Sequence, residues 1–209
     1  MRLAAKKLSI GVLTSHGGTN LQSIIDASNE GRLDAEIRVV ICNNSRAAAL
    51  ERARREGIPV RHLSGKTHSG EAELDDAIAS TLTEHGSEVV VLAGYMKKLG
   101  PVTLGRFAGR ILNVHPALLP KFGGQGMYGL SVHRAVLDAG ESVSGVSIHV
   151  VDEHYDHGPV IAQRQVDVLD GDTPEDLAER VLEQEHALYP ETLQKIASGE
   201  IDLLKIACD

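Results

Sequence analysis

An asparagine and a histidine, two residues apart at the end of an apolar run, are the first candidates for chemistry. Asn113 and His115 follow a predicted strand, and Pro116 ends it. Side chains two apart on a strand point to the same side, and open α/β sheets bind ligands beyond the carboxyl ends of their strands. A pair on one side of a strand end could therefore contact a ligand. A lone histidine is more often structural, so both interpretations stay open for this pair.

The densest group of titratable side chains in the chain lies at residues 149–159. His154, Asp156 and His157 have the chemistry of metal ligands. The segment is equally typical of a solvated polar loop. In a third interpretation, Asp156 orients His115, stabilises its charged form and raises the pKa of that imidazole above its ordinary value of about 6.5. Composition alone does not choose among these three.

A glycine-rich turn at residues 15–21 separates an apolar run from a segment of helical period. Backbone N–H groups at a helix start form an anion site where glycine allows close approach, which favours phosphate binding by Gly18, Thr19 and Asn20. The turn matches neither G-x-G-x-x-G nor a Walker A loop. A plain strand–helix turn capped by Thr19 or Asn20 is the alternative.

Short apolar runs alternate with segments of helical period, which predicts βαβ units and a parallel sheet. We expect one α/β domain over residues 1–209, with an open, mostly parallel twisted sheet, helices on both faces and a Rossmann-like N-terminal half. Alternating apolar and polar residues at 143–151 predict a strand with one wetter face. The last long helix is expected to begin with Thr173 and Asp176 as a capping box, and Pro190 to bend or split it. The predicted strands are 8–13, 37–42, 58–63, 89–93, 111–114, 143–151 and 159–168, and the predicted helices cover 21–25, 47–56, 74–82, 132–138 and 173–197.

Composition limits the partners. The formal net charge is −8, whereas nucleic acids and anionic membranes attract basic surfaces. Aromatic residues make up 3 % of the chain, which leaves little for base stacking. No apolar stretch approaches the ~20 residues of a membrane helix, and Cys42 and Cys208 lack metal-type spacing. We therefore expect a cytoplasmic monomer or homodimer that binds small molecules, without nucleic-acid or membrane partners.

Five ordered segments carry a resemblance to a known enzyme family. Together they resemble the glycinamide ribonucleotide formyltransferases, from about residue 8 to residue 201. The N-x-H-P and D-x-G-P segments are shared with other formyl-folate enzymes, whereas the phosphate turn and the Q-E-H-A-x-Y-P segment are more particular to this family. The segments are Ser15 with Gly18–Leu21, residues 89–96, Asn113–Pro120, Gly145 to Pro159, and Gln184–Pro190.

The resemblance implies a formyltransferase-like fold and a reaction. The formyl group of the cosubstrate 10-formyltetrahydrofolate would pass to the amine of glycinamide ribonucleotide in de novo purine biosynthesis, without a metal. Residues 1–109 would form a phosphate-binding half, and residues 110–209 a catalytic and folate-binding half. The implied catalytic residues are Asn113, His115 and Asp156; the implied ribonucleotide-binding residues are Gly18, Thr19, Asn20 and Glu185; and the implied folate-binding residues are Met96, Lys97, Lys98, Leu99, Asp152, Glu153, His154 and Tyr155.

Two further questions stay open. Ser147 and His149 lie two apart on one predicted strand, and they either line the same pocket or are structural. A formyltetrahydrofolate hydrolase would use the same catalytic residues with water as the acceptor, although such enzymes usually carry an extra N-terminal domain. A nucleotide-binding oxidoreductase is disfavoured, because no G-x-G-x-x-G follows the first strand.

Overall fold

A seven-stranded sheet organises the computed structural model, which describes residues 6–206; Cys208 therefore lies outside the described residues. The strand order is β3-β2-β1-β4-β5-β6-β7. Pairings from β3 through β5 are parallel, whereas β6 and β7 add to the β5 edge in antiparallel fashion. This confirms the open, mostly parallel sheet. The strands are β1 (Leu8–Thr14), β2 (Ala35–Cys42), β3 (Val60–His62), β4 (Val89–Leu92), β5 (Ile111–His115), β6 (Val143–Val150) and β7 (Val160–Asp167).

Helices follow most of the strands, and residues 6–206 contain seven of them. Five lie where the helical periods predict them. The other two, α4 and α7, have six and four residues, too few to show a periodicity. The helices are α1 (Thr19–Asn29), α2 (Ala48–Arg55), α3 (Glu71–Glu84), α4 (Pro101–Arg106), α5 (Leu130–Asp138), α6 (Pro174–Ala197) and α7 (Leu203–Ile206).

The long helix α6 begins as predicted and continues without a break to the expected end at Ala197. Thr173 Oγ1 accepts the Asp176 N–H at 3.2 Å, and the Asp176 carboxylate accepts the Thr173 N–H at 2.9 Å, which is the reciprocal capping box. Pro190 lies inside one continuous helix of 24 residues, so the expected split is wrong. The adjoining Tyr189 and nearby Leu193 are fully buried. Tertiary packing therefore keeps the helix continuous at Pro190, although proline removes one backbone hydrogen bond there.

The core lies on both faces of the sheet, which confirms helices on both sides. Alternate residues of the inner strands supply the two faces, as the two-residue period of a strand requires. Helices α1 and α6 cover one face, and α3 covers the other. The first face includes Val12, Val40 and Val91, and the second includes Leu13, Ile41 and Val90. Among residues 6–206, no helix is both long and apolar enough to cross a membrane.

Strand β6 differs from its prediction. Its polar residues Ser144, Ser147 and His149 are all buried, so the expected wetter face is wrong. Ser147 Oγ donates to the Ala117 carbonyl at 2.6 Å and accepts the Leu119 N–H at 3.0 Å. The loop after β5 is thereby fastened over this face, and hydrogen bonds satisfy the polar side chain there.

Candidate active site

Three loops that leave the parallel strands meet at the carboxyl edge of the sheet. They are residues 15–18 after β1, residues 93–100 after β4 and residues 116–129 after β5. Strand order reverses around β1, whose neighbours are β2 and β4, and ligands of open α/β sheets bind at such a reversal. The candidate residues of the N-terminal and C-terminal halves therefore share one edge.

Strand pairing assembles the central group of side chains. In the antiparallel register of β5 and β6, Asn113 lies opposite His149 and His115 lies opposite Ser147. Because both pairs follow the two-residue period, their side chains lie on the same face of the sheet. Asp156 reaches this face from the loop after β6, with its carboxylate 3.4 Å from His115 Nδ1 and 3.5 Å from His149 Nε2. The structure thus joins Asn113, His115, His149 and Asp156.

The imidazole of His115 is buried and faces two acceptors. Its Nε2 donates to the Phe122 carbonyl at 2.8 Å, and its Nδ1 faces Asp156. Burial lowers the pKa of His115 below its ordinary value, and the Asp156 charge and the Phe122 carbonyl offset only part of that effect. The expected net rise of this pKa is therefore wrong, because the desolvation of the imidazolium outweighs one nearby carboxylate.

The carboxylate of Asp156 has the opposite balance. Burial alone would raise its pKa, but the hydrogen bond from His149, the charge of His115 and the Gly124 N–H hold the pKa below its ordinary value. The Gly124 N–H donates to Asp156 Oδ2 at 3.0 Å. Asp156 is consequently ionised at neutral pH, next to an imidazole that is mostly neutral.

His149 links the asparagine to this pair. Its Nδ1 lies 3.0 Å from the Val150 carbonyl oxygen, and its Nε2 lies 3.1 Å from Asn113 Nδ2 and 3.5 Å from the Asp156 carboxylate. His149 thus contacts both Asn113 and Asp156. The second N–H of the Asn113 amide remains for a ligand. Asn113 is also less buried than either histidine, so its amide is accessible to a ligand.

Backbone strain concentrates at the two residues that face His115. Within residues 6–206, Phe122 and Asp156 are the two non-glycine residues with positive φ, at 57° and 54°. Such conformations cost about 1–3 kcal/mol each and persist where the surroundings fix them. Gly123 lies between the strained segments, and a Cβ there would come within 3.2 Å of Asp156 Cβ and 2.5 Å of Leu119 Cδ2. The fold thus holds both acceptors in place around the imidazole.

Ser147 is structural in this arrangement. Its side chain is fully buried, and its hydroxyl bonds to the backbone of Ala117 and Leu119 and to Gln163 Nε2. Of the two readings open for Ser147 and His149, the geometry therefore favours the structural one for Ser147 and contact with the site for His149.

The turn before α1 leaves its backbone donors free. Gly18 is the N-cap of α1 with φ 71°, and no side chain within the described residues caps this helix. The alternative interpretation, a turn capped by Thr19 or Asn20, is therefore wrong. A Cβ on Gly18 would lie 2.6 Å from the Ala49 side chain, so both φ and space require glycine. The Arg52 guanidinium donates to the Gly17 carbonyl at 2.9 Å and fixes the turn from behind. Free N–H groups at a helix start attract anions.

Glu185 lies beneath that turn and pairs with one of its residues. Asn20 Nδ2 donates to Glu185 Oε2 at 2.6 Å, across 165 positions of the chain. Burial raises the pKa of Glu185 to about 7, although the Asn20 bond works against the rise. The second amide atom, Asn20 Oδ1, is buried without a hydrogen-bond partner among the described residues. A polar ligand at the turn would find a free acceptor there.

The predicted folate residues form two neighbouring segments. Lys98 Nζ lies 5.7 Å from the Tyr155 ring centroid, a cation–π distance that brings residues 96–99 next to residues 152–155. The Met96 N–H donates to Ser15 Oγ at 2.8 Å, which joins residues 96–99 to the turn before α1. Met96 and Lys97 are exposed, whereas Leu99 is packed in the core, so Leu99 offers a ligand only its backbone. Asp152, Glu153 and His154 lie on the outer part of the second segment.

The three side chains of the alternative metal-site interpretation, His154, Asp156 and His157, do not converge. Asp156 turns inward to His115 and His149, away from His154 and His157. The carboxylate near those two exposed imidazoles belongs to Asp152 instead. A site built from His154, Asp156 and His157 is therefore excluded by the fold of this loop.

Comparisons with known proteins agree with this arrangement. The formyl transferase family model matches residues 8–193, which include the turn before α1, Asn113, His115, Asp156 and Glu185. The chain belongs to the formyl transferase family. One relative in it, the phosphoribosylglycinamide formyltransferase of Escherichia coli (strain K12), is 39 % identical over 94 % of this chain and 90 % of its own length. The family resemblance inferred from the sequence is confirmed.

Solved structures of formyl transferases have the same fold. The glycinamide ribonucleotide transformylase 1 of Symbiobacterium toebii superposes with a TM-score of 0.89 at 41 % identity, covering 95 % of this chain and 92 % of that one. The phosphoribosylglycinamide formyltransferase of Coxiella burnetii gives a TM-score of 0.86 at 40 % identity, covering 92 % and 88 %. Some relatives are longer: the chain spans 64 % of the chloroplastic enzyme of Vigna unguiculata, which is 39 % identical over 96 % of this chain.

Several groups at this formyl transferase site escaped sequence reasoning. The Phe122 carbonyl and the Gly124 N–H touch His115 and Asp156, but backbone groups leave no residue-type signature. The hydroxyl of Ser15 accepts the Met96 N–H and so joins the loops after β1 and β4, a contact that was not predicted either. The glycine pair at 123–124 was the available signal, because adjacent glycines mark a place where the backbone approaches another group closely.

Proposed function

We propose that this chain transfers the formyl group of 10-formyltetrahydrofolate to the amine of glycinamide ribonucleotide, a step of de novo purine biosynthesis. The observation that carries the proposal is the group of Asn113, His115 and ionised Asp156 on the sheet edge that also holds the open phosphate turn. Formyl transfer needs oxyanion donors and a proton acceptor close together. Relatives named for this reaction align over nearly the whole chain.

The reaction forms one C–N bond and breaks another. The ribonucleotide amine attacks the formyl carbon, and the carbonyl oxygen becomes an oxyanion. The free N–H of Asn113 and the imidazole of His115 donate to it; His115 Nε2–H turns from the Phe122 carbonyl when substrate is bound. Loss of one such donor typically costs about 100- to 1000-fold in rate.

Asp156 carries out the proton step in this proposal. The amine must lose a proton as it attacks, and the N10 nitrogen of tetrahydrofolate must gain one as it leaves. Ionised Asp156 accepts the first proton, directly or through a water, and returns it for the second. Its charge also makes protonation of His115 less costly in a buried position. No step requires a metal, and we predict that a chelator leaves turnover unchanged.

We assign the two substrates to opposite halves of the edge. The Gly18–Asn20 turn binds the ribonucleotide phosphate through backbone N–H groups. The Glu185 carboxyl forms hydrogen bonds with the ribose hydroxyls, as acceptor or, when protonated, as donor. Residues 96–99 and 152–155 bind the formyl-folate pterin. Residues 1–109 are then the phosphate-binding half, and residues 110–209 the catalytic and folate-binding half of one domain. The shared loop contacts through Ser15 and Lys98 support this arrangement.

The remaining assignments concern the setting of the enzyme. We propose a cytoplasmic enzyme whose partners are these two small molecules, without nucleic-acid or membrane partners, acting as a monomer or homodimer. The net charge of −8 supports the absence of nucleic-acid and anionic-membrane partners, because it repels polyanions.

The deciding experiment measures formyl transfer with glycinamide ribonucleotide and 10-formyltetrahydrofolate, beside a reaction without the ribonucleotide. We expect tetrahydrofolate to appear only when the amine substrate is present. If tetrahydrofolate forms equally fast without the amine, and formate is released with it, the proposal is contradicted and a formyltetrahydrofolate hydrolase is supported. Adding a chelator to both reactions tests the metal-free mechanism in the same run.

A further inference from the structure

Three metal-ligand side chains lie together on the outer side of the loop that carries Asp156. One ligand atom from each of Asp152, His154 and His157 lies within 4.8 Å of the other two. His157 Nδ1 is 3.6 Å from one Asp152 oxygen, and His154 Nδ1 is 4.0 Å from the other. We propose that these side chains form a surface site for a borderline transition-metal cation of the Zn²⁺ type.

The donor set specifies the class of cation. Two imidazole nitrogens and one carboxylate oxygen are typical of three-ligand Zn²⁺ sites that leave a fourth position for water. Bonds of about 2.0–2.1 Å in tetrahedral geometry separate ligand atoms by roughly 3.3–3.4 Å. The separations of 3.6 and 4.0 Å to the two Asp152 oxygens, and the 4.8 Å limit for the whole set, are longer than this, so the side chains must rotate to draw the three ligand atoms together. Mg²⁺ and Ca²⁺ prefer all-oxygen ligands and suit this set poorly.

The backbone of the loop brings the three residues together. The His154 N–H donates to Asp152 Oδ1 at 2.7 Å and orients the carboxylate. At Gly158 the chain returns so close to β6 that a Cβ there would lie 2.0 Å from the Val150 carbonyl oxygen. This close return places His157 back beside Asp152, where the loop began. Glycine is needed at this point of close approach.

Exposure and charge suit a bound cation better than a bare ion pair. The side chains of His154 and His157 are 66 % and 78 % exposed, and ion pairs that open to water contribute little. The two rings lie with centroids 5.6 Å apart, so two imidazolium charges would repel each other. Neutral imidazoles that share one metal ion avoid this repulsion.

The site is separate from the catalytic group although it shares its loop. Asp156 turns its carboxylate inward to His115 and His149, while Asp152 and His157 are the nearly adjacent ends of the same loop on the outside. A cation there would tie those ends together and restrain the loop. Two of its ligands, Asp152 and His154, belong to the segment assigned to the pterin, but the cation would supply no group to the reacting atoms, which is consistent with a reaction that needs no metal.

The test is a titration of the metal-free, full-length protein with Zn²⁺, and with Co²⁺ as a spectroscopic probe. We expect one site whose Co²⁺ absorption bands indicate four-coordinate nitrogen and oxygen ligation, without competition from Mg²⁺. His157→Ala and Asp152→Asn should each weaken binding about tenfold or more, since even outer-shell partners are worth ten- to a hundredfold. Binding should also weaken in acid, because the imidazoles must be neutral.

The matched control is His68→Ala, which removes a histidine that bonds to Thr67 on a different loop. It should leave Zn²⁺ affinity unchanged. Thermal unfolding of each metal-free variant checks that the fold persists. Absence of binding, or binding that survives both His157→Ala and His154→Ala, would overturn the proposal. So would a variant series in which the His68 control loses as much affinity as His157→Ala.

Discussion

Asp156 and Glu185 are two carboxyl groups on the same edge of the sheet, one half-buried and the other buried, and their pKa values shift in opposite directions. Burial raises the pKa of both. Asp156 has the His149 and His115 imidazoles and the Gly124 N–H around it, and these hold its pKa below the ordinary value. Glu185 has the single Asn20 amide, and its pKa rises to about 7. The number and charge of the partners, together with the deeper burial of Glu185, therefore decide which carboxyl is ionised.

The difference matches what each end of the site must do in the proposed reaction. A carboxylate that moves a proton must be ionised before the amine arrives. A group that binds hydroxyls works in either protonation state, because a protonated carboxyl donates and accepts hydrogen bonds. The two groups also affect stability in opposite directions. Ionised Asp156 stabilises the fold at pH values above its ordinary pKa of 3.8, and this stabilisation is lost in acid. Protonated Glu185 stabilises the fold in acid, and this stabilisation is lost as the pH rises from 4.5 to about 7.

Removing the charge of Asp156 is expected to have the largest effect. Asp156→Asn should lower kcat by about 10²- to 10⁴-fold, the usual value of a positioned acid–base group, with little change in KM for either substrate. His115→Asn should be comparably damaging. The double variant should lose far less than the product of the two, because the pair acts as one unit. Steady-state kinetics of all three variants measure this.

Asp170→Asn is the matched control, since that carboxylate is exposed on the loop after β7. It should keep full activity. Multiplicative losses in the double variant, or an Asp156→Asn effect confined to KM, would reduce Asp156 to a loop-shaping role.

Glu185→Gln tests the other half of the comparison. The folded protein holds a proton on Glu185 that the unfolded chain releases above its ordinary pKa of 4.5. This group therefore makes the fold less stable as pH rises to about 7, by on the order of 3 kcal/mol in total. Gln removes that dependence, so the variant should gain stability relative to the parent as pH rises from 5 to 8. Urea unfolding across that range measures it, with the exposed Glu183→Gln on the same helix as the control. A pH-independent difference would show that Glu185 is already ionised.

His149 is the neighbour that most distinguishes Asp156 from Glu185. His149→Asn removes its hydrogen bond to Asp156, which is the largest influence that lowers that pKa. The acid limb of the pH–kcat profile should therefore move to higher pH, and kcat on the plateau should fall about tenfold, as hydrogen bonds to charged groups are worth about 1.5–3 kcal/mol. Ser147→Ala, two residues earlier on β6, should leave the acid limb in place. A limb unmoved in His149→Asn would mean that Asp156 does not control it.

The sequence predicted the parts of this site that side-chain type and strand period can encode. Asn113 and His115 are two apart on a strand that ends at a proline, and the fold places them together as expected. The sheet and five of its helices followed from the same periodicities. Short helices such as α4 were missed, because one or two turns show no period.

What the sequence did not predict depends on distant packing. The wetter face expected for β6 is covered by the loop that follows β5, and Ser147 of β6 hydrogen-bonds to the backbone of that loop. The sign of the His115 pKa depends on how deeply the fold buries it, and the pairing of Asn20 with Glu185 spans 165 positions. Neither burial nor such a pairing is visible in local patterns.

Asn20→Ala is expected to have the smallest effect and tests whether one partner holds Glu185 near neutrality. The Asn20 amide lowers the Glu185 pKa against the effect of burial. Without it that pKa should rise above about 7, and the window over which stability falls should extend to higher pH. The cost of Asn20→Ala should therefore be about 1–2 kcal/mol at pH 8, where the lost bond served a charged group, and smaller at pH 5, where both partners are neutral. Asp26→Ala, exposed on the same helix, should cost little at both pH values. An equal cost of Asn20→Ala at pH 5 and pH 8 would mean that Asn20 only packs against Glu185, and the contrast with Asp156 would then rest on burial after all.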